Sequence, residues 1–224
     1  MSFFINIYQG LKKIFPFIGS EKYVLVRWRI YDFFLRLFRR KKIFYHYLDG
    51  NKFTIDLTDP NLAIRIILES YLDIKEYEPE TTELVKTIIK EGNTVVDIGA
   101  SIGYFSMIFS KLVGKTGRVI SIEPTEMGFN YLCRNREANR AYNIHPFKMA
   151  AWNKEEPVFV PLNAEGANRI WANGIRIDEL LKREGIEKVD FIKCDVDGAE
   201  PQTLSGLIET FKNNPNLKMV FEYY

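Results

Sequence analysis

The chain is short of the residues that build sulfur, metal or strongly one-signed electrostatic chemistry. Of its 224 residues only two are cysteine, Cys133 and Cys194, and only two are histidine, His46 and His145. The cysteines are far apart and unpatterned, so no disulfide framework or four-cysteine zinc site can be built, and a reducing cytoplasmic setting is expected. The isolated histidines read as structural. Against 31 basic residues stand 29 acidic ones, a net +2 that gives no reason to expect nucleic-acid binding. No apolar run reaches membrane-spanning length, because Arg27, Arg29, Asp32 and Arg36 interrupt residues 23–38. A cleavable signal peptide is not expected, since no basic residue precedes the apolar start at residues 3–7. Disorder is excluded by 46% hydrophobic and 27% charged residues.

What the chain does have is unevenly distributed. Residues 1–50 carry +7 and fourteen of the aromatics, leaving −5 for the rest. Between 21 and 42, Tyr23, Val26, Ile30, Phe33 and Leu37 recur at helical spacing, opposite Arg29, Asp32, Arg36 and Arg39. We therefore expect residues 1–44 to be a basic, aromatic, helical extension of a domain at 45–224. A basic amphipathic helix suits an anionic membrane surface at the inner face. The same helix could instead cover the sheet or pair two subunits in a homodimer.

Beyond the extension, Asp49-Gly50 joins two predicted strands, 43–48 and 52–57, in a hairpin. Helices are predicted at 61–72 and 80–89, with Pro60 and Pro79 near their starts. From Asn93 onward, apolar strands alternate with helices. The strands are predicted at 94–98, 118–122, 144–150, 189–194 and 217–222, with an extra edge strand at 157–162. The helices are predicted at 104–112, 127–139, 177–183 and 201–211. This pattern predicts an α/β fold, a doubly wound, mostly parallel sheet whose ligand lies at the carboxyl ends of the strands.

The first strand ends in Asp97-Ile98-Gly99-Ala100-Ser101-Ile102-Gly103-Tyr104. A dinucleotide fingerprint begun at Gly99 would need glycine at Ser101 and Tyr104, and the loop carries no Gly-Lys-Ser/Thr phosphate cradle. An acid at the strand end would repel a phosphate and suit an ammonium group. Those features favour S-adenosylmethionine, which is cationic and lacks phosphate, over NAD. Glu123, before Pro124 and twenty residues beyond Gly103, stands where a carboxylate can accept hydrogen bonds from both ribose hydroxyls. NAD enzymes share that device. Asp97 could also cap the following helix.

The chain here resembles the FkbM-type S-adenosylmethionine-dependent methyltransferases. The resemblance begins near Leu48-Asp49-Gly50-Asn51-Lys52-Phe53 and passes through Tyr77-Glu78-Pro79, the 96–105 loop and Glu123-Pro124. Its most distinctive block is Phe191-Ile192-Lys193-Cys194-Asp195-Val196-Asp197-Gly198-Ala199-Glu200, where the family usually has Glu in place of Asp197. Residues 1–47 share nothing with it. The resemblance implies a class I, Rossmann-like methyltransferase, with Asp97 and Gly99 at the methionine end, Glu123 at the ribose, and Ala150 and Ala151 by the adenine. It places Glu78, Ala100, Gly103, Tyr104, Pro124 and Asp195 at the same cofactor site.

Methyl transfer is a one-step displacement, so alignment is the protein's main task, and an alcohol acceptor must also lose a proton. Asp195, nearest the strand tip, is the expected catalytic proton acceptor, with Glu222 at the same sheet edge as the second candidate. Those two acids could hold a divalent ion with substrate oxygens, although no metal ligand is assigned. The competing reading of Asp197 and Glu200 is an acid-rich helix start. The expected reaction is O-methylation of a sugar hydroxyl or lipid-linked glycan, or of another small-molecule acceptor. N- or carboxyl methylation and a non-catalytic cofactor binder are the alternatives. The common fold continues past Glu222 with a helix and two strands, whereas this chain stops at Tyr224. The sequence thus predicts a short sheet, compensation by the 43–57 hairpin, or truncation.

Overall fold

The computed structural model describes residues 43–56, 77–161 and 169–222. Nearly all of them belong to one compact unit, Tyr45–Ile55 with the residues from 70 onward. The 1–44 extension and the helix expected at 61–72 lie outside the described residues, apart from 43–44.

The core is a five-stranded parallel sheet. Strands β3 (Thr94–Ile98), β4 (Arg118–Ile122), β5 (Ile144–Phe147), β9 (Phe191–Cys194) and β10 (Lys218–Phe221) lie in the order β10-β9-β3-β4-β5. β3 is central: β4 and β5 extend the sheet on one side, β9 and β10 on the other. That reversal opens a crevice at the carboxyl ends of β3 and its neighbours. Both faces are covered, as the near-continuous apolar strands require. Val96, Ile98, Ile120, Ile122, Ile192 and Cys194 pack with Ile177, Leu180 and Leu181 of a helix at Ile177–Arg183. On the other face lies the helix Tyr104–Val113, α2 here, after α1 (Pro79–Ile88). α3 (Glu126–Asn139) connects β4 to β5, and the helix at Ile177–Arg183 is α4.

Several boundaries depart from the sequence expectation. The third strand stops at Phe147. Pro146, paired with Ser121, is tolerated because β5 is an edge strand. Ala150–Ala151 (β6) then pairs with β8 (Arg169–Ile175), which also pairs antiparallel with β7 (Pro157–Pro161). The expected edge strand thus belongs to a separate three-stranded sheet, and β8 was not expected at all. The single helix expected at 201–211 is two, α5 (Glu200–Ser205) and α6 (Ile208–Asn213). The break has two causes. A Cβ on Gly206 would stand 2.1 Å from the Trp152 carbonyl oxygen, and the Asp178 carboxylate accepts the Glu209 and Thr210 N–H groups at the start of α6.

The hairpin of β1 (Ile43–Leu48) and β2 (Asn51–Asp56) forms its own two-stranded sheet and does not extend the central one. Asp49 and Gly50 both have positive φ, 48° and 69°, as a two-residue hairpin turn requires. β2 docks on α3 instead: Lys52 N–H bonds Asn139 Oδ1 (2.8 Å) and Thr54 N–H bonds Asn135 Oδ1 (2.7 Å). Among the described residues no helix is long and apolar enough to cross a membrane.

Candidate functional site

The site begins where β3 ends. The Gly99 and Ala100 N–H groups both bond the Ile122 carbonyl, at 2.9 and 3.0 Å, so the loop folds over the end of β4. Gly99 (φ 80°) lies so close to β9 that a Cβ would stand 1.7 Å from the Asp195 carbonyl oxygen. Gly103 (φ 88°) starts α2, and a Cβ there would meet Leu132 Cδ1 at 2.6 Å. Gly99 thus serves close backbone packing, and Gly103 a positive φ beside the Leu132 side chain. Ala100 is buried, and Tyr104 turns its hydroxyl to the hairpin, donating to Asp49 Oδ2 at 2.5 Å.

Glu123 stands one residue past β4, its N–H on the Phe147 carbonyl. It is only 5% exposed. Oε2 accepts the Ser101 N–H (2.8 Å), while Oε1 accepts the Thr125 N–H (2.9 Å) and the Thr125 hydroxyl. Burial pushes its carboxyl upward from the ordinary range, against these three hydrogen bonds. Gly128 makes room for it, since a Cβ there would meet the carboxyl carbon at 2.8 Å. The strand-tip acid is therefore joined to the Gly99–Gly103 loop through Ser101. A carboxylate offers about four lone-pair positions, so with three taken one remains for a ligand hydroxyl. Pro124 follows Glu123 and is half-buried. Ala150 and Ala151 are buried in β6, and the Ala151 carbonyl takes the Thr203 hydroxyl at 3.0 Å.

A row of polar side chains crosses the sheet under α2. Strand register aligns Ser121, Asp97 and Lys193 on β4, β3 and β9. Asp97 lies one residue inside the strand end and is 1% exposed. Its Oδ2 accepts the Ser106 hydroxyl at 2.5 Å, and Ser106 meets Ser121 at 2.8 Å. Burial raises Asp97 to about 6, opposed by the charge of Lys193. Lys193 is also buried. Its ammonium lies 4.7 Å from the Phe105 ring centroid and 3.1 Å from Asp195 Oδ2. Burial would lower the lysine, yet Asp195, Asp97 and Glu78 together hold it above the ordinary range, so it stays a cation.

Asp195 stands just past β9, its N–H on the Ile98 carbonyl and its side chain 23% exposed. Glu222 stands just past β10 with its N–H on the Cys194 carbonyl, so the two candidate acids share the carboxyl edge of the sheet. Across from them are Tyr77 and Glu78. Burial raises the Tyr77 phenol far above its ordinary value, helped by Glu78, Asp195 and Glu222. Glu78 is itself in the left-handed backbone region, φ 44° and ψ 65°. Beyond Asp195, Glu200 accepts the Gly198 N–H, and burial, Asp195 and Glu200 raise the Asp197 carboxyl. The neighbouring Cys194 thiol is pushed up to about 12, mainly by burial, and is no nucleophile.

Asp195 is engaged by the Lys193 ammonium, and no group of three His, Cys, Asp or Glu is placed to hold a metal among the described residues. Trp152 packs with Val158 and Val160, and Trp171 is exposed beside Phe159. Sequence reading missed Ser106, Ser121 and Tyr77 as parts of the site. Ser121 was detectable as the one polar residue in the strand Val119-Ile120-Ser121-Ile122.

Residues 97–224 match the model of the Methyltransferase FkbM domain. The chain is 29% identical, over 120 residues, to a probable cobalt-precorrin-6B C(15)-methyltransferase (decarboxylating) of Saccharolobus solfataricus, covering 51% of this chain and 58% of that protein. It is similar to a SAM dependent methyltransferase from Aquifex aeolicus (21% identity, TM-score 0.38, 65% of this chain and 63% of that one). It is also similar to the fibrillarin of Aeropyrum pernix with natively bound S-adenosyl-L-methionine (17% identity, TM-score 0.39, 81% and 63%). The chain spans less than two thirds of the length of each of these proteins.

Proposed function

Because the chain belongs to the FkbM methyltransferase domain family and has the Rossmann-like sheet of class I methyltransferases, we propose that it transfers a methyl group from S-adenosylmethionine to a hydroxyl oxygen. The observation that carries this reading is the acid-rich carboxyl edge, with Glu78, Asp195 and Glu222 around the crevice and Glu123 on the adjacent strand tip. That donor set fits a ligand with two cationic centres and a ribose diol, and it has nothing to hold a pyrophosphate.

When bound, S-adenosylmethionine supplies an electrophilic methyl group on a sulfonium. Glu123 would hold a ribose hydroxyl through its remaining lone-pair position, and the Gly99–Gly103 loop would cradle the methionine end. Asp97 acts there through the fold, as a buried charge behind the loop. As the acceptor oxygen takes the methyl group, the sulfur–methyl bond would break with its electron pair left on sulfur, Asp195 would accept the acceptor's proton, and Lys193 aims that carboxylate from 3.1 Å. Glu222 is the second carboxylate within the same edge. Tyr77 is kept protonated beside Glu78, and its phenol donates to that carboxylate.

A sugar hydroxyl or lipid-linked glycan is the proposed acceptor class. Its support is the basic, aromatic composition of residues 1–44, which suits attachment to an anionic membrane where such acceptors reside. The acid-rich edge also favours an amine acceptor, which would make the product an N-methyl compound. Mass spectrometry of glycans and lipids from cells with and without the gene tests the assignment. A 14-dalton loss on a glycan fraction is expected. A loss confined to amine-bearing compounds would replace it with N-methylation, and no change in any fraction would contradict it.

A further inference from the structure

The hairpin and the cofactor loop are fastened together, and the fastening leads to Glu78. Glu78 is not glycine, yet its backbone is left-handed, a conformation that persists only where surroundings over-determine it. Three features hold it. Pro79 fixes the first residue of α1 behind it. Thr82 N–H bonds the Glu78 carbonyl at 2.8 Å, and the Thr82 hydroxyl bonds the Tyr77 carbonyl at 3.0 Å. The Tyr77 ring stands edge-on to Tyr104, with centroids 5.1 Å apart.

The Tyr104 hydroxyl is the pivot. It has one proton, which goes to Asp49 Oδ2 at 2.5 Å, while the Tyr77 carbonyl lies 3.1 Å from the same oxygen. A charged acceptor outcompetes a neutral one for that proton. Asp49 belongs to the hairpin turn, and its carbonyl takes the Lys111 ammonium of α2 at 3.3 Å. Asn135 completes the fastening: its side-chain carbonyl takes Thr54 N–H of β2, and its amide donates to the Ile102 carbonyl of the glycine loop at 2.8 Å.

We propose that Asp49, at the tip of the hairpin, is a positioning residue for the cofactor site, acting through Tyr104 to fix the strained Tyr77–Glu78 backbone that presents Glu78 to the crevice. This rests on the reading above that the crevice takes S-adenosylmethionine. Without Asp49, the Tyr104 side chain loses its anchor on the hairpin, so its hydroxyl oxygen and ring no longer keep a fixed place against the Tyr77 carbonyl and ring, and the backbone at Glu78 gains room to relax. The hairpin is then part of the enzyme's site without touching the ligand.

The test is calorimetric titration of S-adenosylhomocysteine into the full chain and its variants. Asp49→Ala should weaken binding about three- to tenfold, the range of one lost hydrogen bond. Asp49→Asn, which still accepts the Tyr104 proton, should bind close to wild type. In a Glu78→Ala background, Asp49→Ala should cost nothing further, because its effect runs through Glu78. Tyr104→Phe keeps the ring stacking and carries the same test should Asp49→Ala not fold. Unchanged affinity in Asp49→Ala or Tyr104→Phe, or an equal loss with Glu78 already removed, would overturn the role of Asp49 alone. Absence of binding by the wild-type chain would overturn the cofactor reading, and this role with it.

Discussion

The Asp195 carbonyl oxygen lies 1.7 Å from the point where a Cβ on Gly99 would stand. The loop after β3 and the reactive strand end after β9 are therefore in backbone contact. This contact, more than any side chain, sets the distance between the cofactor loop and the proposed proton acceptor.

Gly99→Ala should accordingly be severe. The new methyl meets backbone, which cannot rotate away, and it stands at φ 80° besides. We expect a loss of at least about 2 kcal/mol of stability together with loss of S-adenosylmethionine binding. Thermal unfolding and titration of the same preparation check this. Wild-type values for both would mean that the loop and β9 are not in contact in solution.

Asp97 should leave a signature in the pH dependence of stability. Its folded value, about 6, is above the ordinary carboxylate value of 3.8. The folded state therefore holds the proton more tightly than the unfolded chain. The resulting stabilisation is complete below pH 3.8 and is lost as pH rises through 6, on the order of 3 kcal/mol in all. Asp97→Asn lacks this titration, so its stability relative to wild type should improve between pH 4 and pH 7. Urea unfolding at the two pH values measures it, and a constant difference would show that Asp97 is not a raised acid.

Glu123 has two functions that substitution can separate. Glu123→Ala should weaken S-adenosylmethionine binding by about 1–3 kcal/mol and also remove the acceptor of the Ser101 and Thr125 N–H groups. Glu123→Gln retains an acceptor for one of them and should recover stability more than affinity. If titration finds Glu123→Ala binding like wild type, the ribose assignment fails.

The basic extension is testable by flotation with anionic vesicles at low salt. The full chain should float, and a full chain with Arg39, Arg40, Lys41 and Lys42 changed to Glu should sink, since each basic residue near an anionic leaflet contributes about 1 kcal/mol. Sedimentation of the unaltered chain would leave the extension a structural or dimerising helix.

Much of this architecture could be read from the sequence, for identifiable reasons. The buried parallel strands announce themselves as apolar runs, because both of their faces are covered. Asp49-Gly50 announced a hairpin, because few other pairs adopt two positive φ values. Harder to read were features set by tertiary contact. The helix break at Gly206 depends on the Trp152 carbonyl and on Asp178, from distant parts of the chain. β8 carries Gly174 and alternates exposed with half-buried positions, so its strand character is weak until β7 pairs with it. In the site, Glu123, Asp195 and Glu222 were legible as acids at strand ends. The sequence reads Asp97 as a strand-tip group, yet it lies buried under α2, because Ser106, which donates to it, and its register neighbours Ser121 and Lys193 come from three other elements.

The central claim is that Asp195 takes the acceptor's proton during methyl transfer from S-adenosylmethionine. Transfer of tritium from methyl-labelled S-adenosylmethionine into a glycolipid extract, by the wild-type chain and by Asp195→Asn, tests it most directly. The account predicts label in the extract with the wild-type chain, and loss of most of it in Asp195→Asn, which should fold normally and still bind the cofactor. No label with the wild-type chain, or equal label with Asp195→Asn, would contradict it.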